Sequence, residues 1–148
     1  MATNIFVSYP TDDLERSKAF YTALGAEINP LFTDDNAVCL VWEKNIFTMV
    51  LKREFFATFT DKPVGKAASS AQFQIAFSRD SREEVDAVIE AGLGAGGILH
   101  GETQDYGFMY ARDLEDPDGN VVSFNYMVPE AVEMGPAAYM AQQAQVQV

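Results

Sequence analysis

The order of elements in this 148-residue chain is written twice, and that repetition limits the folds open to it more than any other feature. Ile5-Phe6-Val7-Ser8-Tyr9 is apolar, partly β-branched and closed by Pro10, which predicts a strand. Asp12-Asp13-Leu14-Glu15 then sets an acidic cap ahead of a glutamate, the start of a helix in which Leu14, Ser17, Phe20 (or Tyr21) and Leu24 share a face. Gly25 stops it. Strands are expected over 26–31, 37–42 and 46–51, with Glu43-Lys44-Asn45 as the turn between the last two.

After an irregular stretch the order returns. Gln72–Ser78 alternates polar and apolar with period two, a half-buried strand. Ser81-Arg82-Glu83-Glu84 repeats the cap, and Val85, Val88 and Ile89 supply the helical stripe. Gly92, Gly94, Gly96 and Gly97 end that helix, and strands follow near 98–100, 108–112 and 121–126. Asp116-Pro117-Asp118-Gly119 has the residues a turn requires. Leu24-Gly25-Ala26 matches Leu93-Gly94-Ala95. The expectation is a single domain over 1–148, built from two βαβββ modules at 4–51 and 71–127. A linker at 52–70 joins them, with a short helix over 54–59, and a tail at 128–148 is either a packing arm or a frayed end.

Composition narrows the partners. A net charge of −12 is poorly suited to nucleic-acid phosphates or an anionic membrane surface, so neither is expected. No apolar run is long enough to span a bilayer, and the first residues lack a secretory pattern. The one cysteine, Cys39, fits a reducing compartment, which makes the expected location cytoplasmic.

Two stretches carry a family resemblance. Asp13-Leu14-Glu15-Arg16-Ser17-Lys18-Ala19-Phe20-Tyr21 leading to Leu24-Gly25, and Glu115-Asp116-Pro117-Asp118-Gly119-Asn120, both resemble words of the vicinal oxygen chelate superfamily. That superfamily contains glyoxalase lyases, bleomycin-resistance proteins and extradiol dioxygenases, and the resemblance spans about residues 4 to 127. It implies an α+β fold in which two βαβββ modules form an eight-stranded open cup, within one chain or exchanged between two. It also implies a homodimer.

Family enzymes hold a divalent metal in the cup, with His, Glu or Gln at matching strand positions, because such groups replace the ion's water shell. Carried onto this chain, those positions fall on Phe6, Met49, Gln74 and Ser123. Only Gln74 suits the chemistry, so no metal or other cofactor is expected. The polar face of the fifth strand, with Gln74 and Ala76, would look into the cup, as would Phe6 and Ser8 of the first and Ser123 and Asn125 of the last. Phe47, Met49, Tyr110 and Arg112 complete the expected lining. Such a mixture of apolar walls and neutral hydrogen-bonding groups suits a small ligand, or equally a cup filled by its own side chains.

Other candidates have plainer explanations. His100, Glu102 and Asp105 make an acidic loop around one histidine, ordinarily solvent-facing. The Gly92–Gly97 run follows a helix, whereas phosphate cradles precede one. Cys39 reads as a buried structural thiol and Ser81 as a cap. Arg112, a charge in an apolar strand, requires a carboxylate partner or a ligand anion. The leading expectation is a metal-free small-molecule-binding protein. The alternative is a metal-dependent lyase or isomerase of the lactoylglutathione lyase class, with ligands drawn from Gln74, Glu54, Glu102 or Asp105. A homodimer with a filled cup is the third reading.

Overall fold

In β1 (Ile5–Thr11), Val7, Tyr9 and Thr11 point to one face and Phe6, Ser8 and Pro10 to the other, and it is Tyr9 and Thr11 that are buried. The computed structural model describes residues 2–146, so Met1 and residues 147–148 of the expected tail lie outside the described residues. Helix α1 (Leu14–Ala23) starts at Asp13, whose carboxylate accepts from the Arg16 N–H at 3.0 Å, and it buries Leu14, Ser17, Phe20 and Tyr21. β2 (Glu27–Ile28) is shorter than expected because Asn29 caps a 3₁₀ turn over Pro30–Phe32. β3 (Ala37–Glu43) and β4 (Ile46–Lys52) complete a four-stranded sheet in the order β1-β4-β3-β2, with β1 parallel to β4.

The linker carries α2 (Arg53–Phe56) and a 3₁₀ turn, then runs without regular structure to β5 (Gln74–Ser78). Helix α3 (Arg82–Gly94) starts at Ser81, whose hydroxyl accepts from the Glu84 N–H. β6 (Ile98–Leu99), β7 (Gln104–Asp105), β8 (Met109–Glu115) and β9 (Val121–Met127) form the second sheet. Its order is β5-β9-β8-β6, with β7 also paired to β8 and β5 parallel to β9. Each half is therefore a βαβββ unit with its first strand at the sheet edge, the second carrying the extra two-residue strand β7. The tail folds as α4 (Pro129–Met134), which buries Ala131, and α5 (Pro136–Val146), separated by Gly135.

One core serves both halves. Tyr9, Phe20, Tyr21, Leu40 and Val50 of the first meet Val85, Ile89, Leu114, Val122 and Phe124 of the second. Trp42 stacks on Phe77 at 4.2 Å between ring centres. Gly92 is a packing residue as well as part of a helix end: a Cβ there would stand 2.4 Å from Leu114 Cδ1 and 3.0 Å from Leu24 Cδ2.

A polar joint accompanies the core. Asp116, 3% exposed, accepts at Oδ2 from the Tyr21 hydroxyl (2.6 Å) and the Asn120 amide (3.0 Å). Its Oδ1 accepts from the backbone N–H groups of Asp118 and Asn120. Burial raises the Asp116 carboxyl above its ordinary value, against the pull of those hydrogen bonds. Asp118 reaches into the first half, accepting from the Thr11 hydroxyl, the Asp12 N–H and the Arg16 guanidinium. The turn that looked self-sufficient in sequence thus fastens the second module to α1.

Candidate functional site

The face of each sheet turned away from its helix is open. On the first sheet Phe6 pairs with Phe47, and Ser8 with Met49. On the second, Gln74 pairs with Val121, Ala76 with Ser123, and Ser78 with Asn125. Partners in register point the same way, so Phe6, Ser8, Phe47, Met49, Gln74, Ala76, Ser123 and Asn125 all lie on the helix-free faces. The four family-equivalent positions keep one geometry: Phe6 stands diagonal to Met49 across β1 and β4, and Gln74 diagonal to Ser123 across β5 and β9. Phe6 is 57% exposed, and its ring stacks on Phe47 at 4.7 Å.

Tyr110 and Arg112 are corrections. In β8 they share a face with Leu114, which is fully buried in the core, so they project to the helix side. There the Tyr110 hydroxyl donates to Asp86 Oδ1 of α3 at 2.7 Å, and Arg112 Nη1 donates to the same oxygen at 2.9 Å. These bonds, Tyr110's first, hold the Asp86 carboxyl below its ordinary value. Arg112 therefore has its carboxylate partner. The residues of β8 that do join the open face are Ala111, beside Asn125, and Asp113, beside Ser123. Sequence reading missed Asp113 because 108–112 has no clean alternation. Counting by twos from Leu114 puts Arg112 and Tyr110 on the core side and leaves Asp113 on the other.

The remaining candidates separate. Asp105 forms a two-pronged pair with Arg82 at 2.7 and 3.0 Å, which pulls its carboxyl down to about 2. His100 Nδ1 lies 3.4 Å from Glu115 and is exposed. Glu54 stands with Asp12, Asp13 and Asp35 near the start of α1. Cys39 is buried beside Met49 in register, and burial raises its thiol.

A cavity of about 380 Å³ lies where the two modules and the linker meet. Ser8, Pro10, Phe56, Val64, Phe73 and Val121 are among its walls.

Residues 3–42 match the family described as bleomycin resistance protein-like N-terminal. Many solved structures share the architecture. One is a glyoxalase/bleomycin resistance protein/dioxygenase family enzyme from Burkholderia phytofirmans PsJN, at 22% identity and TM-score 0.71, covering 86% of this chain and 100% of that one. The fold is that of the glyoxalase/bleomycin resistance protein/dioxygenase structures. A glyoxalase/bleomycin resistance protein from Albidiferax ferrireducens T118 is 25% identical with TM-score 0.62, covering 83% of this chain and 97% of that one. A fosfomycin resistance protein from Mesorhizobium loti is 12% identical with TM-score 0.64, covering 90% and 98%. No curated protein matches the chain by sequence.

The vicinal oxygen chelate fold raises the question of a divalent metal, and the side chains at the matching positions answer it. Phe6 offers a ring, Met49 a soft thioether, Ser123 a hydroxyl and Gln74 one amide oxygen. Among the described residues, no group of three or more His, Cys, Asp or Glu is arranged to hold an ion. The donor set does not fit the metal.

Proposed function

We propose that this protein of vicinal oxygen chelate fold binds a small organic molecule on its strand-lined faces without a metal. The observation that carries the reading is the matched diagonal: two apolar side chains, Phe6 and Met49, in one module, and two neutral hydrogen-bonding groups, Gln74 and Ser123, in the other. Apolar walls with a few placed polar groups are the ordinary makeup of small-molecule sites. A homodimer would set the open face of one copy's first module against the second module of another, covering Phe6. A reducing, cytoplasmic location accords with the single buried thiol. The alternative, a metal-dependent lyase of the lactoylglutathione lyase class, draws on Asp113, whose carboxylate stands beside Ser123 on the same face.

Two measurements test the reading. Elemental analysis of the dialysed protein is expected to give far less than one divalent metal per chain, and one retained per chain would sink the metal-free reading in favour of the lyase. With methyl-labelled methionine, compounds that raise the melting temperature are expected to shift the Met49 and Met109 resonances and leave Met134 unmoved. Stabilising compounds that leave Met49 unmoved would remove the strand faces as the site.

A further inference from the structure

The linker is richer in basic residues than the chain as a whole. Lys52, Arg53, Lys62 and Lys66 are four of its ten basic residues, within fifteen positions of the linker. Three of them, Arg53, Lys62 and Lys66, border the cavity at the module junction, whose walls are otherwise largely apolar: Pro10, Phe56, Val64, Phe73 and Val121.

The charges at this cavity divide into engaged and free. Arg53 Nε donates to Asp12 at 2.6 Å and Nη1 to the Gly65 carbonyl at 2.9 Å, so Arg53 holds the linker and its charge is matched. Asp118, the carboxylate on the wall, is 4% exposed and taken up by Thr11, Asp12 and Arg16. Lys62 and Lys66 form no ion pair among the described residues. Among the residues lining the cavity, the charges without an ion pair are those of Lys62 and Lys66, with Asp12 near enough to Lys66 to feel its field and Asp61 next to Lys62 in sequence.

The linker is seated there by a close approach. A Cβ on Gly119 (φ +103°) would stand 2.8 Å from the Ala68 nitrogen and 2.9 Å from the Ala67 carbonyl carbon. The backbone at 67–68 packs directly on a residue without a side chain, which fixes one wall of the cavity.

We propose that this cavity binds an amphipathic carboxylate, its apolar body among Phe56, Val64, Phe73 and Val121 and its head at Lys62 and Lys66. At about 380 Å³ the cavity lies toward the lower end of the roughly 300–1,000 Å³ typical of ligand sites, room for a medium-length chain or a small ring system. Apolar burial supplies affinity, and the two ammonium groups select the sign of the head. This goes beyond the strand-face reading: Ser8, Pro10 and Val121 are common to the cavity and those faces, while Phe6, Met49, Gln74 and Ser123 lie outside the cavity.

The test is calorimetric titration of the full chain with sodium decanoate, decanol and decyltrimethylammonium, with amide and methionine-methyl resonances followed in parallel. Decanoate is expected to bind once per chain and to shift the amides of residues 62–66 and 119–121 while Met49 stays in place. Decanol is expected to bind about tenfold more weakly, since two exposed charge contacts together approach that factor. The exposed, unpaired positions make K62Q/K66Q a safe double variant, expected to lose about tenfold in decanoate affinity with an unchanged melting temperature. Val64→Trp, which fills the cavity, is expected to abolish binding. The proposal is overturned if decanoate fails to bind, if K62Q/K66Q binds it as tightly as the unaltered chain, or if decyltrimethylammonium binds equally well. Shifts at Met49 in place of 62–66 would also overturn it and would move the carboxylate to the strand faces.

Discussion

The two modules share a backbone plan and differ in what they place on it. In the first, the central positions of the open face are Phe6, Phe47, Met49 and Cys39. In the second, the register equivalents are Gln74, Val121, Ser123 and Asp113. The hairpins differ as sharply. Glu43-Lys44-Asn45 in the first is a local turn, whereas Asp116 to Asn120 in the second reaches into the other module's helix. Repetition of a fold therefore preserves strand register and caps, while the outward side chains and the turns diverge into separate duties.

The largest break in the comparison is expected at the turns. Asp116→Ala leaves the Tyr21 hydroxyl, the Asn120 amide and two backbone N–H groups short of an acceptor, and is expected to cost about 3 kcal/mol or more. Asn45→Ala in the first module's turn is expected to stay within about 0.5 kcal/mol. Urea denaturation of both variants checks the pair, and equal losses would mean that the joint is not where the modules are fastened.

The matched word Leu-Gly-Ala offers a finer contrast. Gly25 has φ +107°, whereas Gly94 ends α3 without a positive φ, and a Cβ on either meets nothing within 4 Å. Gly25→Ala is expected to destabilise by about 1–2 kcal/mol, and Gly94→Ala to stabilise by about 0.5–1 kcal/mol. Thermal denaturation of the two variants should move in opposite directions.

Smaller effects sharpen the second module's assignment. Arg112→Met removes an ion pair to a half-exposed Asp86 and is expected to cost about 0.5–1 kcal/mol in stability. Ligand-induced shifts on the open faces should be untouched. Smallest of all, Arg82→Ala should return the Asp105 carboxyl from about 2 toward its ordinary 3.8. A lowered folded value means the pair's stabilisation is present above 3.8 and lost as the pH falls toward 2. The variant should therefore lose a small stabilisation at neutral pH and converge with the unaltered chain as the pH falls toward 2, the carboxyl value being read from side-chain resonances.

Much of this was legible in the sequence. The caps at Asp13 and Ser81 and the alternation of Gln74–Ser78 are local signals, since a helix start or a half-buried strand is decided by neighbours in sequence. The open-face positions on β1, β5 and β9 followed from that alternation, whereas Met49 on β4 came only from the family resemblance. Strand β8 defeated the same logic because Met109-Tyr110-Ala111-Arg112-Asp113 has no apolar phase, and its facing is set by Leu114 and by Asp86 on a distant helix. Asp116 and Asp118 hid their role because Asp-Pro-Asp-Gly is fully explained as a turn, while their partners Tyr21, Thr11 and Arg16 lie about a hundred positions earlier. The linker cavity had no local signal at all, because it exists only where three segments meet.

The bond from Thr11 to Asp118 spans 107 positions, and this has a consequence for how the chain folds. Contacts so distant are slow to form, because the intervening chain must first be closed into a loop. When the first module leaves the ribosome, β1 and α1 lack the carboxylates that receive the Thr11, Arg16 and Tyr21 groups, and Phe20 lacks the second half of its core. The first module is accordingly expected to stay loosely packed until residue 118 has been made, and to consolidate in one cooperative step with the second.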